Sequence, residues 1–181
     1  SCKKHHRVVA HYYCQLAEND ASQSDFKTAA SRLKRALKSD PQCVRAQMLL
    51  AQLYIKQQQY DQAIKHIDQI PELSSAFASE AWKLLQQCKS HLDDRSFAAI
   101  LVRWLESTQN TTVALALAES IQAQQGVRDA EAFILRHIKR NPTMKGFHRL
   151  MTYQLEAMHD DKAAESIALL RSLVEKQMAV K

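Results

Sequence analysis

Apolar and polar positions alternate with a period of three to four residues along almost the whole chain. In Phe26-Lys-Thr-Ala-Ala-Ser-Arg-Leu-Lys-Arg-Ala-Leu the apolar stripe runs Phe26, Ala29, Leu33, Ala36. That spacing places one face of an α-helix toward a core and leaves Lys34, Arg35 and Lys38 on a solvated face. The pattern predicts helix pairs over 8–21 with 25–38, 43–58 with 60–70, and 75–91 with 95–107. Two more pairs follow over 111–124 with 127–140 and 144–158 with 160–178. Residues 1–7 carry no apolar stripe and read as a frayed lead-in to an array spanning 8–181. The clearest loop is Ser107–Thr112.

The stripes repeat. Phe26 and Tyr60, Ala29 and Ala63, Leu33 and Ile67, and Leu16-Ala17 and Leu50-Ala51 are each 34 residues apart. Ala130 and Ala164 repeat that interval, and Pro41 and Pro142 lie 101 apart, close to three such periods. A fixed period of this length marks a stacked helical array, because one helix hairpin cannot bury its apolar face alone. The period and the Leu50, Ala51, Tyr54 set resemble the tetratricopeptide repeat. The implied fold is an all-α solenoid of about five helical hairpins forming a right-handed superhelix. Small residues at Ala51, Ala63, Ala118 and Ala130 let paired helices approach, while Leu33, Tyr54, Ile67 and Ile134 fill the space between them. The third pair is irregular, with Trp82 and Trp104 in place of smaller residues.

Composition agrees with this reading. Two Gly and three Pro in 181 residues leave little material for long turns. One of each falls in Asn141-Pro-Thr-Met-Lys-Gly146, where Pro142 precedes a new helix and Gly146 lies one turn inside it. Glycine weakens a helix there unless a neighbouring helix requires closeness. The net charge of +6 suits an acidic partner, a nucleic acid or an anionic membrane face. The basic residues are nevertheless spread along solvated helix faces. Cys14, Cys43 and Cys88 read as small buried hydrophobes in a reducing compartment, and no Cys-x-x-Cys pair is present. No apolar run approaches a membrane span, and nothing resembles a signal peptide.

Candidate chemistry is sparse. There is no phosphate-binding glycine loop, no His-Glu-x-x-His and no nucleophile flanked by glycines, so the chain reads as noncatalytic. Asp93-Asp94 and Asp160-Asp161 stand at helix starts and read as caps. His11, His66, His91, His137, His148 and His159 are far apart, and His5-His6 falls in the polar lead-in, so no metal or other cofactor is expected in this chain. Helical arrays that read RNA repeat the same reading side chains in every unit, and no such recurrence occurs here. Protein binding along the first helix of each pair remains. Repeat spacing puts His11, Arg45, Met48, Gln52, Trp82, Lys89, Glu119, Arg149 and Tyr153 on that groove. Trp82 and Met48 also fit a core role, and Arg45 and Lys89 a solvated one. Cys14, Glu18 and Leu49 stand where a clamp for a terminal carboxylate needs polar donors, which argues against a chaperone-tail receptor.

Arg140-Asn-Pro-Thr-Met-Lys-Gly-Phe-His-Arg-Leu-Met-Thr-Tyr-Gln-Leu-Glu156, the later Ala163-Ala-Glu-Ser-Ile-Ala-Leu-Leu-Arg171, and Ala10-His-Tyr-Tyr-Cys14 closely resemble the lipopolysaccharide assembly protein B family. The resemblance runs from about Val8 to Met178. It implies a bacterial adaptor on the cytoplasmic face of the inner membrane, with an N-terminal membrane helix, tetratricopeptide repeats and a C-terminal rubredoxin-like zinc domain. The implied partners are the AAA protease FtsH, the lipid A deacetylase whose turnover the family promotes, and other lipopolysaccharide assembly proteins. This chain has neither the membrane helix nor the paired zinc cysteines, and is expected to be the C-terminal part of the repeat region of a longer, membrane-attached protein. The alternative is a tetratricopeptide scaffold of an unrelated assembly.

Overall fold

The chain is described here by a computed structural model covering residues 2–157 and 160–179. Ten α-helices follow one another: α1 (Cys2–Ser22), α2 (Phe26–Ser39), α3 (Val44–Lys56), α4 (Tyr60–Leu73), α5 (Ala78–Cys88), α6 (Asp94–Thr108), α7 (Thr111–Gln125), α8 (Val127–Arg140), α9 (Met144–Glu156) and α10 (Asp160–Ala179). Short 3-10 turns at Ser75–Phe77 and Lys89–His91 flank α5. No strand occurs among the described residues. The contacts divide the chain into two compact units, Ser1–Thr108 and Gln109–Lys181.

In the first unit α1 packs on α2, α2 on α3, α3 on α4 and α4 on α5, while the first helices also touch directly, α1 with α3 and α3 with α5. The close contacts use the expected small residues: Ala17, Ala29, Ala36, Ala51 and Ala63 are at most 1% exposed. Leu33, Ile67 and Tyr54 fill the space between them. Residues 2–7 are helical and not a frayed lead-in, because no proline or glycine interrupts α1 before its stripe begins at Ala10. Pro71 lies inside α4 and is buried, so that helix runs on to Leu73 instead of stopping at residue 70.

The third pair departs most from a hairpin. α6 lies along α4, to which Asp68 ties it. The fully buried Trp104 donates its indole N–H to Asp68 Oδ1 at 3.0 Å, and Arg103 pairs with Asp68 Oδ2. The expected loop over 107–112 shrinks to Gln109 and Asn110. Ser107 and Thr108 hydroxyls donate back to the Trp104 carbonyl, so both residues stay in the helix. Gln109 then turns the chain at φ +51°, and Asn110 Oδ1 accepts the Thr112 amide at 2.8 Å to cap α7.

The second unit packs α7 on α8, α8 on α9 and α9 on α10 around Ala118, Ala130, Ile134, Ile138, Phe147, Leu150 and Tyr153. The chain's two glycines do different work. Gly126 takes φ +104°, a backbone region that side chains disfavour, and joins α7 to α8 by itself. Gly146 sits where α9 crosses α8: a Cβ there would stand 3.0 Å from Ile138 Cγ1 and 3.1 Å from Thr143 Oγ1. Closeness is the reason for a glycine at this place.

Candidate functional site

The groove candidates separate into three local groups and two isolated side chains. In the first unit Arg45, in the first turn of α3, places Nη2 2.7 Å from Glu18 Oε2 on α1, with Nε 3.3 Å from Oε1. Beside this clasp lies a cavity of about 270 Å³ between α1, α2 and α3. Its floor is apolar, formed by Ala17, Ala29 and Leu33, and Leu49 and Leu53 of α3 line it from the other side. Glu18, Ser22, Gln52 and Lys56 stand at its mouth. Among the described residues Lys56 makes no ion pair.

The second group forms around Phe97 at the start of α6. Trp82 is half-buried, its ring tilted against Phe97 with centroids 5.9 Å apart, and the exposed Lys89 holds its ammonium 5.2 Å from the Phe97 centroid. The third lies in the second unit, where Arg149 Nη2 meets Glu119 Oε1 at 2.6 Å and its guanidinium carbon stands 5.7 Å from the Tyr153 ring centroid. Tyr153 itself is fully buried and belongs to the core, not to an exposed groove. As the residue one turn after Leu150 on the packed face of α9, it cannot also present its ring to a partner. Burial raises its phenol above the ordinary range. His11 is exposed on α1 and Met48 half-buried on α3; neither joins a cluster.

Other expected sites resolve locally. Asp93 accepts the Ser96 hydroxyl at 2.6 Å and the Ser96 amide at 2.8 Å, the capping role read from sequence, and these two bonds hold its carboxyl below the usual range. The side chains of Asp160, Asp161 and His159 lie outside the described residues. Cys14, Cys43 and Cys88 are buried. Cys14 and Cys43 face one another across α1 and α3, and the thiol hydrogen bond they share raises Cys14 and lowers Cys43. His66 Nδ1 bonds Gln47 Oε1 at 2.6 Å and stacks on Tyr54, while His91 stacks on Tyr60. Burial lowers His66 and His137. No three His, Cys, Asp or Glu side chains group as metal ligands among the described residues. No helix among them is long and apolar enough to cross a membrane.

Sequence reasoning missed Phe97, which organises Trp82 and Lys89 from a second helix, because it confined the groove to first helices. It missed Lys56 and Leu53 because neither stands out by residue type.

Comparison with known proteins agrees with the architecture. A tetratricopeptide repeat family model matches residues 20–88. Lipopolysaccharide assembly protein B of Escherichia coli strain K12 is 29% identical over 167 residues, covering 92% of this chain and 43% of that protein. The Haemophilus influenzae protein of the same name is 32% identical over 167 residues, covering 92% and 42%. The chain therefore spans less than half the length of these relatives. The crystal structure of MamA superposes with a TM-score of 0.54 at 18% identity, covering 94% of each chain. A tetratricopeptide protein, YrrB, described as having an unusual peptide-binding site, gives 0.50 at 13% identity, covering 92% of this chain and 87% of its own. At such identities these two speak to fold alone. The chain is a tetratricopeptide-repeat helical array, similar over 92% of its length to lipopolysaccharide assembly protein B.

Proposed function

We propose that this chain is a noncatalytic adaptor region in lipopolysaccharide assembly, holding protein partners on its first helices. The observation that carries the reading is the 29–32% identity to lipopolysaccharide assembly protein B across both units, 92% of the chain. Likeness confined to the segment the repeat model matches would speak only to the repeat. The physical side of the reading is that the first helices carry paired charges and half-buried apolar groups, the side-chain mix of a protein-binding surface. The finer reading is that the chain helps present the lipid A deacetylase to the membrane protease FtsH on the cytoplasmic face of the inner membrane. Membrane attachment and any zinc then belong to other parts of the protein, and this chain works without a cofactor.

The test is the half-life of the deacetylase in cells whose full-length protein lacks residues 8–178, with co-purification of FtsH and the deacetylase on the intact protein. The proposal expects a longer half-life and loss of both partners. An unchanged half-life with both partners still captured would overturn it.

A further inference from the structure

Each unit builds a floor of the same kind, and the two fill it differently. Ala17, Ala29 and Leu33 of the first unit correspond, 101 positions on, to Ala118, Ala130 and Ile134 of the second. Over this floor lie α3 and α9, both thirteen residues long and starting 100 positions apart at Val44 and Met144. In the second unit Tyr153 and Arg149 occupy the space above the floor, and Gln122 Nε2 closes it by donating to Glu156 Oε2 at 3.0 Å. The corresponding positions in the first unit are Leu53, Leu49, Ala21 and Lys56. They are smaller or cannot bridge in the same way, and Arg45 draws Glu18 aside. What remains is the cavity of about 270 Å³.

We propose that this cavity is a specificity pocket for an apolar, ring-sized side chain of a partner protein, with a carboxylate next to it in the partner sequence meeting Lys56. The inference rests on the adaptor reading and adds to it the chemistry of the segment that is held. The size follows from the second unit, where a tyrosine ring and a guanidinium stand over the same floor. The apolar preference follows from Leu33, Leu49 and Leu53, which offer a carboxylate no donor inside the cavity. The acidic flank follows from charge. Glu18 is neutralised by Arg45, Lys56 at the mouth has no anionic partner among the described residues, and the chain as a whole carries +6. Gln52, exposed at the same mouth, offers both a donor and an acceptor to an extended partner backbone.

The experiment uses the full chain and fluorescein-labelled Gly/Ser-flanked peptides with a central Phe-Asp-Asp, Ala-Asp-Asp or Phe-Lys-Lys core, read by fluorescence anisotropy. The expected order is Phe-Asp-Asp tightest, with losses of about tenfold for either altered core. Ala21→Gln combined with Lys56→Glu rebuilds the bridge of the second unit and should abolish the preference while helicity and melting temperature hold. Both positions are open enough to accept the new side chains, so folding is not the variable. Absence of Phe-Asp-Asp binding, equal affinity for all three peptides, or unchanged affinity in the double variant would overturn the pocket. Deacetylase half-life in the same double variant keeps the two readings apart. Selectivity in the parent chain that the double variant loses, with a normal half-life in the variant strain, would sink the regulatory reading and leave the pocket. A longer half-life in the variant strain, with no selectivity in the parent chain, would do the reverse.

Discussion

Replacing Gly146 tests the closest helix crossing in the second unit. A Cβ at that position meets Ile138 Cγ1 at 3.0 Å and Ile138 Cδ1 at 3.4 Å, inside the roughly 3.5–4.0 Å optimum for carbon pairs. It also meets Thr143 Oγ1 at 3.1 Å, the oxygen that accepts the Gly146 amide and caps α9. Gly146→Ala gains about 1 kcal/mol of helix propensity and loses a similar amount to crowding, so its net effect should be close to zero. Gly146→Leu adds three further carbons against the buried Ile138 and should cost about 1–3 kcal/mol. For a chain of this length that is a fall in melting temperature of about 2–4 °C per kcal/mol. A double-mutant cycle with Ile138→Ala locates the cause. The Ile138→Ala change alone should cost about 2–5 kcal/mol, and the pair should cost less than the sum because the leucine enters the vacated volume. Thermal unfolding by circular dichroism reads all four proteins. Strict additivity, or a Gly146→Leu protein as stable as the parent, would refute the crossing as the reason for the glycine.

Other perturbations probe different terms. Ala63→Arg forces a charge into the closed contact of the second helix pair and should unfold or loosen the first unit, seen as lost protection from amide exchange in α3 and α4. Asn110→Ala removes the α7 cap and should cost about 1 kcal/mol by thermal melting, whereas Asn110→Asp should keep most of it. Burial lowers His66, with help from Lys34 and Lys65, and lowers His137. Above about pH 6.5 both folded and unfolded chains hold these rings neutral; below it the unfolded chain binds more protons, so stability should fall as the solution is acidified. His66→Gln and His137→Gln should each flatten that slope between about pH 7 and 5, and an unchanged slope would assign it to other groups. Arg149→Glu places two carboxylates together at the Glu119 contact. Because that pair is exposed, the melting temperature should move by the equivalent of only about 0.2–1 kcal/mol, and a larger fall would show that the guanidinium over Tyr153 is part of the packing.

The helices were legible because their information is local. A three-to-four-residue stripe, a 34-residue interval and a shortage of turn residues each say helix hairpin, and Ala29, Ala63, Ala118 and Ala130 had to be small wherever two helices meet. The departures come from interactions with no local signature. Nothing in the neighbourhood of Trp104 says that its indole bonds Asp68, 36 positions earlier, and so draws α6 onto α4. Hydroxyl groups at Ser107 and Thr108 read as loop formers by type, yet they return to a carbonyl of their own helix. Pro71 reads as a stop, yet α4 continues two residues beyond it before Ser74 turns outward.

The candidate site was less legible than the fold for a related reason. Residue type marks side chains with something to offer, so Arg149, Tyr153 and Arg45 stand out in the sequence. The structure spends each of them internally, Arg149 on Glu119, Tyr153 in the core and Arg45 on Glu18. A pocket is made by what its lining lacks. Ala21 and Leu53 attract no notice, and Leu49 only as a missing polar donor, until they are set beside Gln122, Tyr153 and Arg149, which fill the equivalent space one unit later. The comparison also gives the pocket a direction of change. Because the two floors are built alike, opening or closing the space takes only substitutions on the overlying helices and at the rim position held by Ala21 or Gln122, and leaves the small residues of the floor intact. A repeat array can in this way vary what it holds, interface by interface, at little cost to the packing that keeps it folded.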